Sequence, residues 1–101
     1  MENAAAIELL RRGADIYYYK TRDGKEVDIA VKEGLKIGNL IQVCYDIDNY
    51  LTKAREIKAL VKASEESGCE NLMILTWDHE GEELVGTRRI SYVPMWKWLL
   101  V

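Results

Sequence analysis

Two polar residues on neighbouring predicted strands are the first candidates for chemistry. Asp28 lies within 26–31, where apolar and polar residues alternate as in a strand with one buried face, and Gln42 lies within 39–45, which alternates in the same way. A carboxylate and an amide oxygen on adjoining strands are ligands that Mg²⁺ accepts. The pair therefore predicts a metal site, provided that the turn between the strands brings the two side chains together.

That turn leaves two registers open. A two-residue turn at 33–34 places Asn39 opposite Asp28, whereas a longer loop centred near Leu35 places Gln42 opposite Asp28. Only the second register builds a site that the two side chains share.

The turn that precedes the pair is better defined. An Asp-Gly pair at 23–24 supplies the positive φ that a tight hairpin requires. A turn centred there predicts that Tyr18 lies across from Asp28. It also predicts that Lys20 lies across from Glu26, where the two form a modest ion pair.

Hydrophobic periodicity, capping residues and turn residues predict the elements that must position these side chains. The predicted helices cover 2–12, 53–67 and 95–101, and the further predicted strands cover 15–20 and 71–77. Thr52 is the predicted N-cap of the second helix. Residues 83–93 form either a last hairpin or a single late strand. The resulting order, α-β-β-β-α-β-(β-β)-α over 1–101, predicts one α/β domain with a central mixed sheet.

Composition and charge exclude several classes of function. The net charge of −3 argues against broad, non-specific binding to a nucleic-acid backbone, although a local basic patch is compatible with it. Apolar runs fall short of the ~20 residues that span a bilayer, and the N-terminus lacks the basic segment of a secretory signal, so we expect no membrane partner. Cys44 and Cys69 lack metal-binding spacing and predict reduced thiols of a cytoplasmic protein.

Four stretches resemble parts of a known family: Glu2-Asn3-x-x-x-x-Glu8-Leu9-Leu10-Arg11-Arg12-Gly13, Tyr17-Tyr18-Tyr19-Lys20-Thr21-x-x-Gly24-x-Glu26-Val27-Asp28, Leu40-Ile41-Gln42-Val43 and Pro94-x-Trp96-x-Trp98-Leu99. The family is the nuclease-like C-terminal domain of archaeal and bacterial AAA+ ATPases, which is similar to the PD-(D/E)XK restriction endonucleases. The resemblance implies an endonuclease-like α/β sandwich with an α-β-β-β-α-β core and a short C-terminal helix. It also implies that the chain is a fragment, or a standalone relative, of a larger ATPase.

The chemistry that this resemblance implies is Mg²⁺- or Mn²⁺-dependent hydrolysis of DNA phosphodiesters. Glu2 matches the helix acid of the family and Asp28 matches the strand acid. Gln42 stands where a second strand acid is usual, and Cys44 stands where a lysine is usual. The metal ligands that the resemblance implies are therefore Glu2, Asp28 and Gln42.

The departures from the family pattern predict a weak or inactive centre. An amide adds no charge to a metal site, and a thiol of pKa about 8.5 is mostly neutral at pH 7. Two lysines are candidate substitutes for the missing one, but Lys32 lies roughly 13 Å along the strand from Asp28 and Lys20 is expected to pair with Glu26. The alternative interpretation is structural: Asp28 is a polar surface residue and Cys44 is packed under a helix.

The remaining features concern partners. Trp96, Trp98 and Leu99 either cap the domain's own core or bind a partner, which is an ATPase domain or a second copy of the chain. The helix over 53–67 has a basic outer face that glutamates dilute, and we interpret this face as solvated. We expect an interaction or nucleic-acid-sensing module associated with an AAA+ ATPase, with DNA as a candidate ligand. The alternatives are an active metal-dependent endonuclease and a pure protein–protein interaction or dimerisation domain.

Overall fold

Between residues 2 and 100 the helices and strands follow one another in the predicted order. The computed structural model describes the backbone of residues 2–100 and the side chains of residues 3–100. The elements are α1 (Glu2–Arg11), β1 (Asp15–Lys20), β2 (Glu26–Glu33), β3 (Lys36–Val43), α2 (Tyr50–Ser67), β4 (Leu72–Thr76), β5 (Gly81–Val85), β6 (Arg88–Pro94) and α3 (Met95–Leu99). Of the two alternatives for residues 83–93, the hairpin is therefore the one that forms. The helices described within these bounds are not long and apolar enough to cross a lipid bilayer.

The strands form one mixed sheet in the order β1-β2-β3-β4-β6-β5. The first three strands are an antiparallel meander, β3, β4 and β6 run parallel, and β5 pairs antiparallel with β6 at the far edge. α2 is the crossover between the parallel strands β3 and β4. The apolar run Leu72–Leu75 occupies β4, an inner strand with helices over both faces, which is why its sequence does not alternate.

Two apolar layers hold the helices against the sheet. On one face α2 contributes Ala59, Leu60 and Ala63 to a core that includes Leu40 and Ile74. On the other face α1 and α3 share a core whose members are Ala5, Leu9, Ile29, Ile41, Leu75, Met95 and Trp98. The prediction of an α/β sandwich with a central mixed sheet is confirmed at this level.

The start of α2 differs from the prediction. The helix begins at Tyr50, and the side-chain oxygen of Asn49 accepts a hydrogen bond from the backbone N–H of Thr52 at 3.1 Å. Asn49 is therefore the N-cap, and the prediction of Thr52 was wrong. The reason is a turn in which the N–H of Asn49 donates to the carbonyl of Asp46, so that the chain enters the helix earlier.

The register between β2 and β3 is decided by one extra residue. A two-residue turn at 34–35 pairs Glu33 with Lys36, so neither the predicted turn at 33–34 nor the predicted longer loop forms. The register then shifts, because Gly38 bulges out of β3 and Val31 pairs with Asn39. From there the pairing runs on to Ile29 and Ile41, so the next residues along it are Asp28 and Gln42, as the second predicted register requires.

A second bulge lies in β2 at the candidate site. Lys20 pairs with Glu26 as predicted, but the register between β1 and β2 shifts beyond Tyr19. Tyr18 consequently faces both Asp28 and Ile29 instead of Asp28 alone. Bulges of this kind increase the local twist of a strand and redirect its side chains.

Candidate functional site

Asp28 and Gln42 lie side by side, and each one binds the backbone of the other's strand. The backbone N–H of Asp28 donates to Oε1 of Gln42 at 2.8 Å, and the backbone N–H of Val43 donates to Oδ2 of Asp28 at 2.8 Å. The two side chains thus continue the pairing of β2 and β3 beyond the last backbone partners. The predicted proximity of Asp28 and Gln42 is confirmed.

Both polar atoms of the Gln42 side-chain amide form hydrogen bonds with backbone groups. Its side chain is fully buried, and its Nε2 donates to the carbonyl oxygens of Glu26 at 3.0 Å and Glu56 at 3.4 Å. Buried backbone groups need such partners, because an unsatisfied one costs about 1–3 kcal/mol. Gln42 therefore supplies hydrogen-bond partners to backbone groups of β2 and links that strand to α2.

Two of the predicted metal ligands, Asp28 and Gln42, are engaged by backbone N–H groups. A Mg²⁺ or Mn²⁺ ion needs carboxylate or carbonyl oxygens that converge on one point. Here Oε1 of Gln42 and Oδ2 of Asp28 are each directed at a backbone N–H group. Among the described side chains, no group of three His, Cys, Asp or Glu residues is arranged to hold a metal ion.

The third predicted ligand, Glu2, has a side chain outside the described residues. Its helix, α1, packs on one face of the sheet, whereas the side chain of Gln42 reaches α2 on the other face. The described part of the chain thus brings Asp28 and Gln42 together. The three-ligand site stays a prediction.

Cys44 is a buried thiol of the core beneath α2. Its backbone N–H donates to the carbonyl of Leu75 at 2.8 Å, so it continues the pairing of β3 with β4. Burial raises the pKa of the thiol, and the carboxylate of Glu56 raises it further. The position where the family has a lysine therefore carries a neutral group at pH 7, in agreement with the structural interpretation.

This burial predicts slow thiol chemistry. In a Cys69→Ser variant, Cys44 is the only thiol, and a thiol reagent at pH 7 is expected to modify it at least about a hundredfold more slowly in the folded than in the urea-unfolded protein, because reaction must await an opening of the core. The rate of release of the reagent's chromophore measures this. Equal rates in the two states would show that Cys44 is accessible.

The two candidate substitute lysines lie on the neighbouring strands β1 and β2. The Nζ of Lys32 lies 4.9 Å from the centre of the Tyr17 ring, a cation–π contact. Lys20 is exposed on the edge strand β1, opposite Glu26. A role for either lysine as the substitute stays a prediction.

A cleft of about 580 Å³ opens beside Asp28, between the start of β2 and the first half of α2. Its cations are Lys25, Arg55 and Lys58, and its acids are Glu26, Asp28 and Glu56. Arg55 lies 3.8 Å from Glu56, and Lys25 pairs with Asp23 at 2.5 Å. The lining of the cleft thus holds equal numbers of acids and of cations, and the cations are on flexible side chains.

The sequence interpretation missed this cleft, although one signal was present. Arg55 and Lys58 are three residues apart, so they share a face of α2. Treating that face as solvated overlooked Lys25, which the hairpin brings opposite it. The hairpin also contacts α2 through Tyr19, whose hydroxyl donates a hydrogen bond to Glu66 at 3.1 Å.

The C-terminal aromatic segment divides into two parts. The Trp98 side chain is only 7% exposed and belongs to the core under α1 and α3, with the guanidinium of Arg12 5.1 Å above its ring. Trp96 is 59% exposed, and Leu99 is also exposed. Core capping is therefore the role of Trp98, while Trp96 and Leu99 remain on the surface.

No protein-family model and no curated protein matches this chain. The fold and the candidate site define an α/β sandwich domain with a six-stranded mixed sheet and an amide–carboxylate pair at the junction of β2 and β3.

Proposed function

We propose that this chain is a nuclease-like domain of the PD-(D/E)XK type whose hydrolytic centre has been lost, and that it binds nucleic acid as a sensing module associated with an AAA+ ATPase. The observation that carries the proposal is the burial and the hydrogen bonding of Gln42. Its fully buried amide serves three backbone groups, so it replaces a metal-binding acid with a structural side chain. The association with an ATPase rests on the resemblance of the sequence motifs.

The loss of catalysis is supported by the neighbouring position as well. Phosphodiester hydrolysis in this fold relies on a cation that stabilises the charge developing in the transition state. Cys44 offers a neutral thiol packed beneath α2 in its place. An active site would thus lack both the second carboxylate and the cation.

Binding of nucleic acid is supported by the cleft beside Asp28. Lys25, Arg55 and Lys58 line it, and their long side chains suit contacts to phosphate oxygens. The three acids of the same cleft balance the charge of its three cations, which favours weak and salt-sensitive binding. Such binding suits a module that reports on nucleic acid for a larger assembly.

The binding test uses fluorescence anisotropy with labelled single-stranded and branched DNA at low salt. Arg55→Gln combined with Lys58→Gln is expected to weaken binding roughly tenfold and to reduce the salt dependence, because two phosphate contacts are lost. The matched control is Lys36→Gln with Arg89→Gln, which removes the same charge outside this cleft and should bind as the wild type does. Equal losses in both double variants would place DNA elsewhere.

The cleavage test uses the same DNA with Mg²⁺ or Mn²⁺, and compares the wild type with Asp28→Asn. Asparagine keeps an oxygen for the N–H of Val43, so the variant should fold while losing the charge that a metal needs. We expect only background product from both proteins. Product that appears with the wild type and disappears with Asp28→Asn would instead establish an active endonuclease.

Protein–protein interaction is a second candidate, and a separate observation favours it. Exposed apolar side chains lie on the two helices that cover one face of the sheet: Ile7 and Leu10 on α1, and Trp96 and Leu99 on α3. If this surface is the functional one, we expect no DNA binding at low salt and a mass in solution above that of a monomer. The double variant Trp96→Ser and Leu99→Ser should then return the mass to that of a monomer.

A further inference from the structure

Two exposed aromatic rings lie together where the central parallel strands end. Tyr45 follows β3 and Trp77 follows β4, and their ring centres are 6.1 Å apart with a tilt of 38° between the planes. The side chains are 55% and 64% exposed. β3 and β4 pair in register up to Val43 and Leu75, so each ring lies two residues beyond the last residue of this pairing. We call Tyr45 and Trp77 the aromatic edge.

The surroundings of the aromatic edge are acidic. The two chain segments that carry the rings, 44–52 and 76–87, contain six Asp or Glu residues and no Lys or Arg. Asp46 and Asp78 each directly follow one of the rings. Lysines from neighbouring elements pair with two of the other acids, Glu80 and Glu83, which leaves the surface negative on balance.

We propose that the aromatic edge binds an arginine side chain presented by a basic segment of a partner protein. A guanidinium is planar and weakly hydrated, so it stacks on an aromatic face while its N–H groups bind carboxylates in a forked geometry. Trp77 and Tyr45 supply the face, and Asp46 and Asp78 supply the carboxylates. An aromatic face and acidic residues that directly follow it in the chain thus occur at two adjacent strand ends.

Charge complementarity separates this ligand from the other occupants of such a surface. A nucleic acid would use the rings for stacking but would bring its phosphates against the acidic segments. A second copy of this chain would bring the same negative charge to the contact. The surface is also separate from the cleft beside Asp28, whose lining includes neither Tyr45 nor Trp77.

The test is a titration of the ¹⁵N-labelled protein with a capped Gly-Arg-Gly peptide, monitored by NMR. The indole N–H resonance of Trp77 and the backbone amides of Asp46 and Asp78 should shift saturably, in the millimolar range that suits one cation–π contact. The control peptide carries citrulline, which has the same shape without the charge, and should leave these resonances in place. Rising salt should weaken the arginine response.

Matched variants complete the design. Asp46→Asn with Asp78→Asn should weaken binding about fivefold, and Trp77→Leu, monitored at the two amides, should abolish it. Trp96→Leu removes an equally exposed indole on α3 and should change nothing. The proposal is overturned if both peptides bind equally or if Trp96→Leu acts like Trp77→Leu. It is also overturned if the Trp77 resonance responds instead to oligothymidylate or to protein concentration alone, which would assign the rings to base stacking or to self-association.

Discussion

Gln42→Leu is expected to lower the free energy of unfolding by about 2–5 kcal/mol. The substitution introduces an apolar side chain of similar size and leaves the N–H of Asp28 and the carbonyl of Glu26 without the amide that now binds them. The carbonyl of Glu56 also loses its bond to the amide, but it lies within α2 and keeps its helix hydrogen bond. Each buried backbone group left unsatisfied costs about 1–3 kcal/mol. Urea denaturation followed by circular dichroism measures the effect.

Asn71→Leu provides the control for this prediction. Asn71 also donates a side-chain amide hydrogen bond to a backbone carbonyl, that of Gly38 at 2.8 Å, but it is exposed, so water can replace the lost bond. Its free energy of unfolding should change by less than about 1 kcal/mol. If the two variants lose equal stability, the amide of Gln42 does not hold the strands together.

Gln42→Glu extends the test to pH. Burial among carbonyl oxygens will raise the pKa of the new carboxyl group above its ordinary value of about 4.3. For a group with a raised folded-state pKa, stability is greatest below the unfolded-state pKa and falls as the pH rises through the folded-state pKa. The loss of stability relative to the wild type should therefore be larger at pH 7 than at pH 4. An equal loss at both values would indicate that the new carboxylate reaches solvent.

Trp98→Ala is the second substitution with a large expected effect, a loss of about 3–5 kcal/mol in the free energy of unfolding. The ring fills the core that α1 and α3 share with the sheet, in company with Leu9 and Met95. α3 has only five residues, so it cannot form a helix on its own and depends on this anchor. The Nη2 of Arg12 donates to the carbonyls of Trp98 and Leu99, each at 3.4 Å, and these bonds should be lost as well.

Trp96→Ala is the matched variant for Trp98→Ala, because it removes the same side chain two residues away. Trp96 is mostly exposed, so its free energy of unfolding should stay within about 0.5 kcal/mol of the wild type. Thermal and urea denaturation of both variants give the comparison. Similar stability losses in the two would contradict the division of the segment into a buried and an exposed part.

Local sequence patterns were sufficient to predict the order of the helices and strands in this chain. The alternation within 26–31 and 39–45 predicted β2 and β3, and the Asp-Gly pair at 23–24 predicted the hairpin that pairs Lys20 with Glu26. These features follow from backbone preferences and from the two faces of a strand, which neighbouring residues decide among themselves. The α/β order followed from them.

The candidate site was predictable only in part. That Asp28 and Gln42 are polar residues on adjoining strands was evident from the sequence, but the tightness of the turn before β3 was not. With the two-residue turn alone, Asp28 would face Ile41, and the bulge at Gly38 shifts the pairing by the one residue that brings Gln42 to it. The burial of Cys44 likewise depends on α2, which lies on top of it.

The sequence by itself thus determined the order of the elements and the identity of the polar pair. The tertiary structure decided how that pair is used. The oxygen of Gln42 accepts from the backbone N–H of Asp28, just beyond the last paired residues of β2 and β3, and its nitrogen reaches the carbonyl of Glu56 in α2. Such bonds depend on where two distant segments meet, and no local pattern records that distance.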